Sequence, residues 1–514
     1  MKKLLLAPLR KAALALGALG LLGSPALATW SICVVDTTTG EVCVATATCI
    51  ANFNIQTVVP VVVVGRGAGA TQALVPFQNN NKVKIYDGFL AGTTPTDILN
   101  DIIATDNGIA NRQFGIVDLF NAPKSFTGAQ ALAGKKGVAG TVGNLRYAVQ
   151  GNILTAGTVV NFVVQTLINQ PPGTDLSQRV MAAMETARSL GGDGRCSCPG
   201  QGATDCGSPP ANFNKSAHNA TIILARIGDT DGPCTNIGSC VKGDYFVNLN
   251  VIGGVNDIDP VLELQTLYDA WRLSKIGVPD QLLTQVEQSA AALPADGQAT
   301  ASFTIHPFDI DGNPIAMGGA SVSVGKVGGG AFFATPGPVT QNPDGSYSFQ
   351  VTAGASAGLD EYEIVLDDGV RPVTLYPYPS LQVDALDSLH AGFDALPAAE
   401  GGSVPFTINA GASAANLPYV LLGSSSGTMP GIPLGGQIVP LNFDPFTDFT
   451  LIAAGSATLP GSVGLTDAGG RAEAALSAAP GQFAPGVGLH LDFAAVVLGA
   501  PETITNAVGV DVEP

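Results

Sequence analysis

The chain reads as an α+β N-terminal domain followed by all-β modules, and three observations predict this. From residue 29, two β-patterned runs (29–35 and 42–48) flank a turn, while two helical periods (159–168 and 176–190) follow one another further on. With 64 Gly and 35 Pro against 12% charged residues, the composition favours many short strands and tight turns over long exposed helices. All eight cysteines fall between Cys33 and Cys240, and that asymmetry marks a boundary near residue 280. At 514 residues the chain is too long for one core.

Residues 1–28 fit a signal peptide. Lys2, Lys3, Arg10 and Lys11 form a basic start, residues 12–22 are apolar or glycine, and Ala26 and Ala28 have the small side chains that signal peptidase accepts. The apolar run is shorter than the ~20 residues of a bilayer span, so no stable membrane anchor is expected after cleavage. A cut after Ala28 makes Thr29 the first residue of a secreted, periplasmic or cell-surface protein. Export also places the cysteines in an oxidising compartment. Cys33 and Cys43 flank the turn Asp36-Thr37-Thr38-Thr39-Gly40 and could pair across it, with Cys49 competing for either. Cys196, Cys198, Cys206, Cys234 and Cys240 suggest a disulfide-stapled insertion at about 193–240. Zinc is the rival reading, but the spacing fits no standard zinc pattern.

A third run, 57–65, is β-branched and predicts a strand. Gly65-Arg66-Gly67-Ala68-Gly69-Ala70 lacks the Walker lysine and the Rossmann spacing, so it reads as a glycine-rich turn. Thr94-Pro95-Thr96-Asp97 opens a helix with a cap, a first-turn proline and an acid, and Ile98, Ile102 and Ile103 supply its apolar face. Strands are expected at 113–118, 146–152, 220–227 and 245–251. Asp259-Pro260 starts a last helix with Leu262, Leu264, Leu267, Trp271 and Leu273 as its core stripe. Strands first, then consecutive helices, favour helices packed on a layered sheet over alternating βαβ units.

These residues resemble a bacterial family. Thr29-Trp30-Ser31-Ile32, Thr71-Gln72, Arg112-Gln113-Phe114-Gly115-Ile116-Val117-Asp118, Phe126-Thr127-Gly128, Tyr147-Ala148-Val149-Gln150-Gly151-Asn152, Gly191-Gly192-Asp193 and Asp259-Pro260-Val261-Leu262-Glu263-Leu264 are all similar to DUF1028, itself similar to N-terminal-nucleophile (Ntn) hydrolases. The resemblance covers about 29–275. It implies a four-layer αββα sandwich and a suspected amide-cleaving chemistry, with no established substrate.

Beyond it, 281–297 reads as a linker with a short helical look. Residues 298–385 alternate with Asp-Gly hairpin turns at Asp309-Ile310-Asp311-Gly312-Asn313 and Asn342-Pro343-Asp344-Gly345-Ser346, and resemble invasin-type Ig-like domains. Asp309, Asp311 and Asn313 mimic the start of a calcium loop, but no glutamate stands at position twelve, so this is read as a turn. Residues 400–514, with strands at 405–409, 419–422, 449–453, 472–476 and 489–498, predict a second β-sandwich.

A mature Thr29 carries a nucleophilic hydroxyl and a weak base, its own α-amine, on one residue. By the resemblance, Asn152 is the first oxyanion-hole candidate and Gln72 the second, though a turn asparagine often only bonds its own backbone. Ser31 shares Thr29's strand face and reads equally as a small inward residue. Arg112 and Asp193 could orient the site, or form a buried ion pair that holds a loop. No Lys or Arg lies between Thr29 and Gly65, which departs from proteasome-type sites. His218 caps or packs more often than it catalyses. No G-x-S-x-G elbow, H-E-x-x-H pair, cofactor motif or metal-ligand pattern is present. The net charge of −18 disfavours a nucleic-acid partner. The expectation is a secreted bacterial protein with an N-terminal-threonine amidohydrolase domain acting on a small amide or peptide, without cofactor. The alternative is a non-catalytic secreted or cell-surface binding or structural protein, its β-modules serving a surface partner or a homo-oligomer.

Overall fold

The computed structural model describes residues 26–514 except 28, 77, 200–203, 317–318 and 385–387. Most of the expected leader therefore lies outside the described residues. The chain divides into two compact units, 1–274 and 275–514.

In the first unit two antiparallel sheets face each other. One runs β11 (Val247–Ile252), β10 (Asn219–Ala225), β3 (Val42–Thr48), β2 (Thr29–Asp36), β9 (Leu145–Asn152) and β8 (Lys136–Val142), so β2 sits between β3 and β9. The other runs β1 (Ala26–Leu27), β5 (Gly67–Leu74), β6 (Arg112–Asp118) and β7 (Lys124–Thr127), with β4 (Pro60–Val63) also on β5. Strand side chains alternate between faces. Cys33, Val35, Val44, Ala68, Ala70, Val117 and Ala148 consequently meet between the sheets. Trp30, Ile32, Val34, Ala45 and Val149 point outward, against α3 (Val159–Ile168), α4 (Leu176–Ser189) and α6 (Pro260–Leu273), with the single turn α5 (Gly194–Ser197) following α4 in the chain. On the outer side of the other sheet, Val61, Val63, Phe114 and Ile116 pack on Ile85, Phe89, Ile98 and Ile102 of α1 (Asn80–Leu90) and α2 (Pro95–Thr105).

The glycine-rich stretch is a turn only at Gly65 and Arg66. Gly67 and Gly69 lie inside β5, because α1 crosses so closely that a Cβ on Gly67 would come 2.8 Å from the Phe89 ring and one on Gly69 2.8 Å from Ile85. Helix α2 begins as the sequence predicts, with the Thr94 hydroxyl accepting from the Asp97 N–H and Pro95 in the first turn. In α6 the stripe is rotated. Val261, Leu264 and Tyr268 are buried, whereas Leu262, Leu267 and Leu273 are exposed.

Cys33 and Cys43 are both buried and unbridged. Cys33 pairs in register with Val44 and Cys43 with Val34, so the two thiols point to opposite faces of the sheet. Burial pushes the Cys33 thiol up to about 12, which keeps it unreactive. The bridges are Cys49–Cys196, Cys198–Cys206 and Cys234–Cys240.

The second unit holds two sets of facing sheets. In the first, Phe303 and Phe349 of one sheet pack on Tyr362, Ile364 and Leu381 of the other. The stretch 281–297 is not a helical linker. Gln285–Gln288 pairs with Thr300–His306 and Ala292–Pro294 with Ser380–Asp384, because its alternation of exposed and half-buried residues suits a sheet edge. In the second set, Phe406, Leu476 and Phe493 form the core, and Leu389–Ala391 and Ala395–Pro397 already belong to it, ahead of residue 400. The expected strand at 449–453 lies instead in and just after the helix Pro445–Ile452. Asp444 caps that helix in a reciprocal box with Thr447, and Pro445 supplies a preset first turn. Backbone N–H and hydroxyl donors from Ser424, Ser425, Ser426, Phe446 and Thr447 outweigh its partial burial and hold the Asp444 carboxyl far below its ordinary range. Asp309 binds the Asp311 and Asn313 N–H groups, the bonding of a turn. Among the described residues no helix is long and apolar enough to cross a membrane.

Candidate functional site

Alternation also makes one end of the space between the sheets polar. Thr29 and Ser31 of β2, Thr46 and Thr48 of β3, Gln72 of β5, Gln113 of β6, and Gln150 and Asn152 of β9 all point inward there, and all are buried. Thr29 stands at the centre. It pairs in register with Thr48 on one side and Asn152 on the other, and its hydroxyl lies 3.4 Å from that of Thr48.

The facing sheet holds this end in place. Gln72 Nε2 donates to the Thr29 carbonyl at 3.0 Å and to Gln113 Oε1 at 2.9 Å, while Gln72 Oε1 accepts from the Ser31 hydroxyl at 2.5 Å. Gln113 Nε2 in turn donates to the Gly151 carbonyl, next to Asn152. Gln72 therefore has both ends of its amide occupied and serves as a tie to the Thr29 backbone. Ser31 belongs to the same tie. Asn152 differs: both its Oδ1 and Nδ2 are buried with no hydrogen-bond partner among the described residues. Gln150, two residues back on the same face, reaches the Cys33 thiol instead. A buried amide without partners is costly, on the order of 1–3 kcal/mol, so Asn152 is the amide at this end with bonding capacity still to give.

Backbone strain sits at the same place. Ala73 has φ +71° and Ile153 φ +49°, so the residues directly after Gln72 and Asn152 are both non-glycine residues in the left-handed region. Such conformations persist only where the surroundings over-determine them, and they concentrate at functional sites.

Asp193 is also brought to this end. Fully buried, it accepts from the Cys49 N–H at 2.8 Å and pairs with Arg195, whose Nη2 lies 2.8 Å from Oδ2. Burial pushes the Asp193 carboxyl up, and Arg195 and the backbone N–H groups pull it back. The same Arg195 Nη2 donates to the Thr48 hydroxyl at 3.3 Å, so a guanidinium reaches Thr29 through one threonine. Neither Arg195 nor Thr48 stands out in the sequence as a candidate site residue. Their signal is the pair of cysteines beside them, since the Cys49–Cys196 bridge fastens the residue after Thr48 to the residue after Arg195. His218 lies beside this bridge, and one atom each of Cys49, Cys196 and His218 converge within 4.8 Å, but the two sulfurs are spent on each other. Arg112 is not part of the cluster. Its Nε pairs with Asp106 Oδ2 at 2.9 Å and holds the loop after α2.

Residues 29–203 match the family of unknown function DUF1028, and residues 281–369 match invasin domain 3, which bears out both resemblances read from the sequence. Among curated proteins none matches the chain. Among solved structures, similarity extends to a DUF1028 protein from Silicibacter pomeroyi, 19% identical over 48% of this chain and 88% of that one, with a TM-score of 0.34. The Escherichia coli adhesin FdeC is 12% identical over 94% of this chain and 96% of its own, with a TM-score of 0.19. The Yersinia pseudotuberculosis adhesin InvE is 15% identical over 44% and 58%, with a TM-score of 0.16, so the chain spans little more than half of that adhesin.

Proposed function

We propose that the protein is exported and works at or beyond the cell surface, where its β-rich C-terminal region meets or spaces a binding partner. The match of residues 281–369 to invasin domain 3 carries this reading. The leader-like start and the three disulfides, which suit an oxidising compartment, support it. The test is adhesion of beads coated with the mature chain to host cells or matrix. Antibody fragments against residues 281–514 should abolish adhesion, and Thr29→Ala should leave it unchanged. Adhesion blocked only by antibodies against residues 29–274 would overturn the reading.

A second reading is favoured by one observation, the partnerless amide of Asn152 in register with Thr29. The order helices, sheet, sheet, helices fits an αββα sandwich, and in an N-terminal-nucleophile hydrolase Thr29 would act once its amine is free. The amine takes the hydroxyl proton, directly or through one water, as the oxygen attacks the amide carbon. The leaving amine takes the proton, an ester remains on Thr29, and water then releases the acid and restores the threonine. Asn152 Nδ2 would donate to the oxyanion, and Arg195, through Thr48, would keep positive charge near the hydroxyl. If this chemistry operates, Thr29→Ala in the mature chain lowers turnover by about 10⁴-fold or more, and Asn152→Ala by about 10²–10³-fold. Activity rises with pH through the amine's range near ~8, because only the neutral amine accepts the proton. Wild-type turnover in Thr29→Ala would exclude the threonine as nucleophile.

A further inference from the structure

One edge of β5 is shared by two neighbours. Strand β4 covers Gly67 to Ala70, and the Thr71 N–H still reaches the Val59 carbonyl at 2.9 Å. The next positions, Ala73 and Leu74, pair antiparallel with Leu27 and Ala26 of β1, and the opposite edge of β5 is taken by β6. The leader therefore completes the sheet just where β4 stops, and a single residue separates that pairing from Thr29. Cleavage after Ala28 would uncover this short edge beside Thr29. An uncovered edge is a template for another extended chain. The left-handed Ala73, held strained at the start of the strip, shows that this edge is shaped by its surroundings rather than by local preference.

We infer that in the mature protein the Ala73–Leu74 edge binds an extended peptide by strand addition, in the place and direction that Ala26–Leu27 takes in the precursor. The peptide enters antiparallel to β5 with its C-terminal end directed at Thr29. Recognition is mainly through the main chain, with a preference for apolar residues such as those of the strip's own occupant, Ala26-Leu27. The precursor is thereby self-blocked, because its leader already fills the strip. The inference deepens the second reading, since such a peptide presents a carbonyl to Thr29, but binding itself requires no turnover.

The test uses full-length mature chain (29–514), freed at Thr29 by a protease from an N-terminal fusion, together with its Thr29→Ala variant. The probe is fluorescein-Ser-Pro-Ala-Leu-Ala-amide, followed by anisotropy and mass spectrometry. Saturable binding is expected to both proteins, at least tenfold weaker to a chain that starts at Ser24 and keeps its strip filled. Backbone N-methylation of the probe at Leu or at its preceding Ala should weaken binding at least tenfold for one of the two. Equal binding by the Ser24-start chain, or indifference to both N-methylations, would overturn the inference. So would a mature chain that dimerises through this edge and ignores the probe. Probe bound by the wild type but never cleaved would leave strand addition standing and count against the hydrolase reading. Hydrolysis of a small amide by a chain that does not bind the probe would do the reverse.

Discussion

The double variant Cys49→Ser/Cys196→Ser is expected to unfold its N-terminal unit roughly 10–20 °C below the wild type, for a chain-entropy loss of about 5 kcal/mol. The bridge spans 147 residues, so it removes far more freedom from the unfolded chain than Cys234–Cys240, which spans 6 and is worth about 2 kcal/mol on the same basis. Its removal also frees the turn that carries Arg195 from the end of β3. Amide exchange at residues 193–198 and around Thr48 should accelerate more than exchange in α4. Calorimetry of the two double variants checks the ranking. Equal midpoints for wild type and Cys49→Ser/Cys196→Ser would show that β3 and the Asp193 turn stay together without the bridge.

Glu41→Leu should cost about 3–5 kcal/mol, because it leaves the Arg226 guanidinium buried without its carboxylate. The two side chains are 3% and 6% exposed, Arg226 Nε donates to Glu41 Oε1 at 2.8 Å, and the guanidinium lies 3.6 Å over the Phe246 ring. Replacing both, as Glu41→Leu/Arg226→Leu, should recover most of the loss, since a buried pair gains little beyond its own desolvation cost. Burial pushes the Glu41 carboxyl above its ordinary range, an effect that Arg226 only partly offsets. The folded state thus holds this proton more tightly than the unfolded state. That contribution is complete below the unfolded glutamate's range and fades as pH rises through the folded value. The double variant should lack this component of the slope. Denaturant midpoints between pH 4 and 8 decide it, and a double variant as unstable as Glu41→Leu would overturn the pairing.

The sequence made much of the fold legible because local rules and packing agree there. The Thr94 cap, the helical period at 176–190 and the β-branched strands all stand where their patterns place them. It misled where a distant neighbour decides. Gly67 and Gly69 read as a loop until α1 is seen resting on them, and Cys33 and Cys43 read as a pair until register puts them on opposite faces. Likewise the α6 stripe follows Tyr268, which hydrogen-bonds Ser177 of α4, rather than Leu262, Leu267 and Leu273. At the polar end, Thr29, Asn152 and Asp193 were legible as residues but Arg195 was not, because a disulfide across 147 residues brings it there. No spacing along the chain encodes that contact.

The two sets of facing sheets in the second unit meet through main chain as well as side chains. The Ala291 and Ala292 N–H groups both donate to the Gly392 carbonyl, Gly392 packs against Ala290 and Pro405 with no room for a Cβ, and Arg471 Nε stands 3.2 Å from Asp296 Oδ2. A hinge needs slack, and this joint has little. Pulled from its far end, the pair should behave as one stiff lever that passes tension along its length rather than as a loose tether.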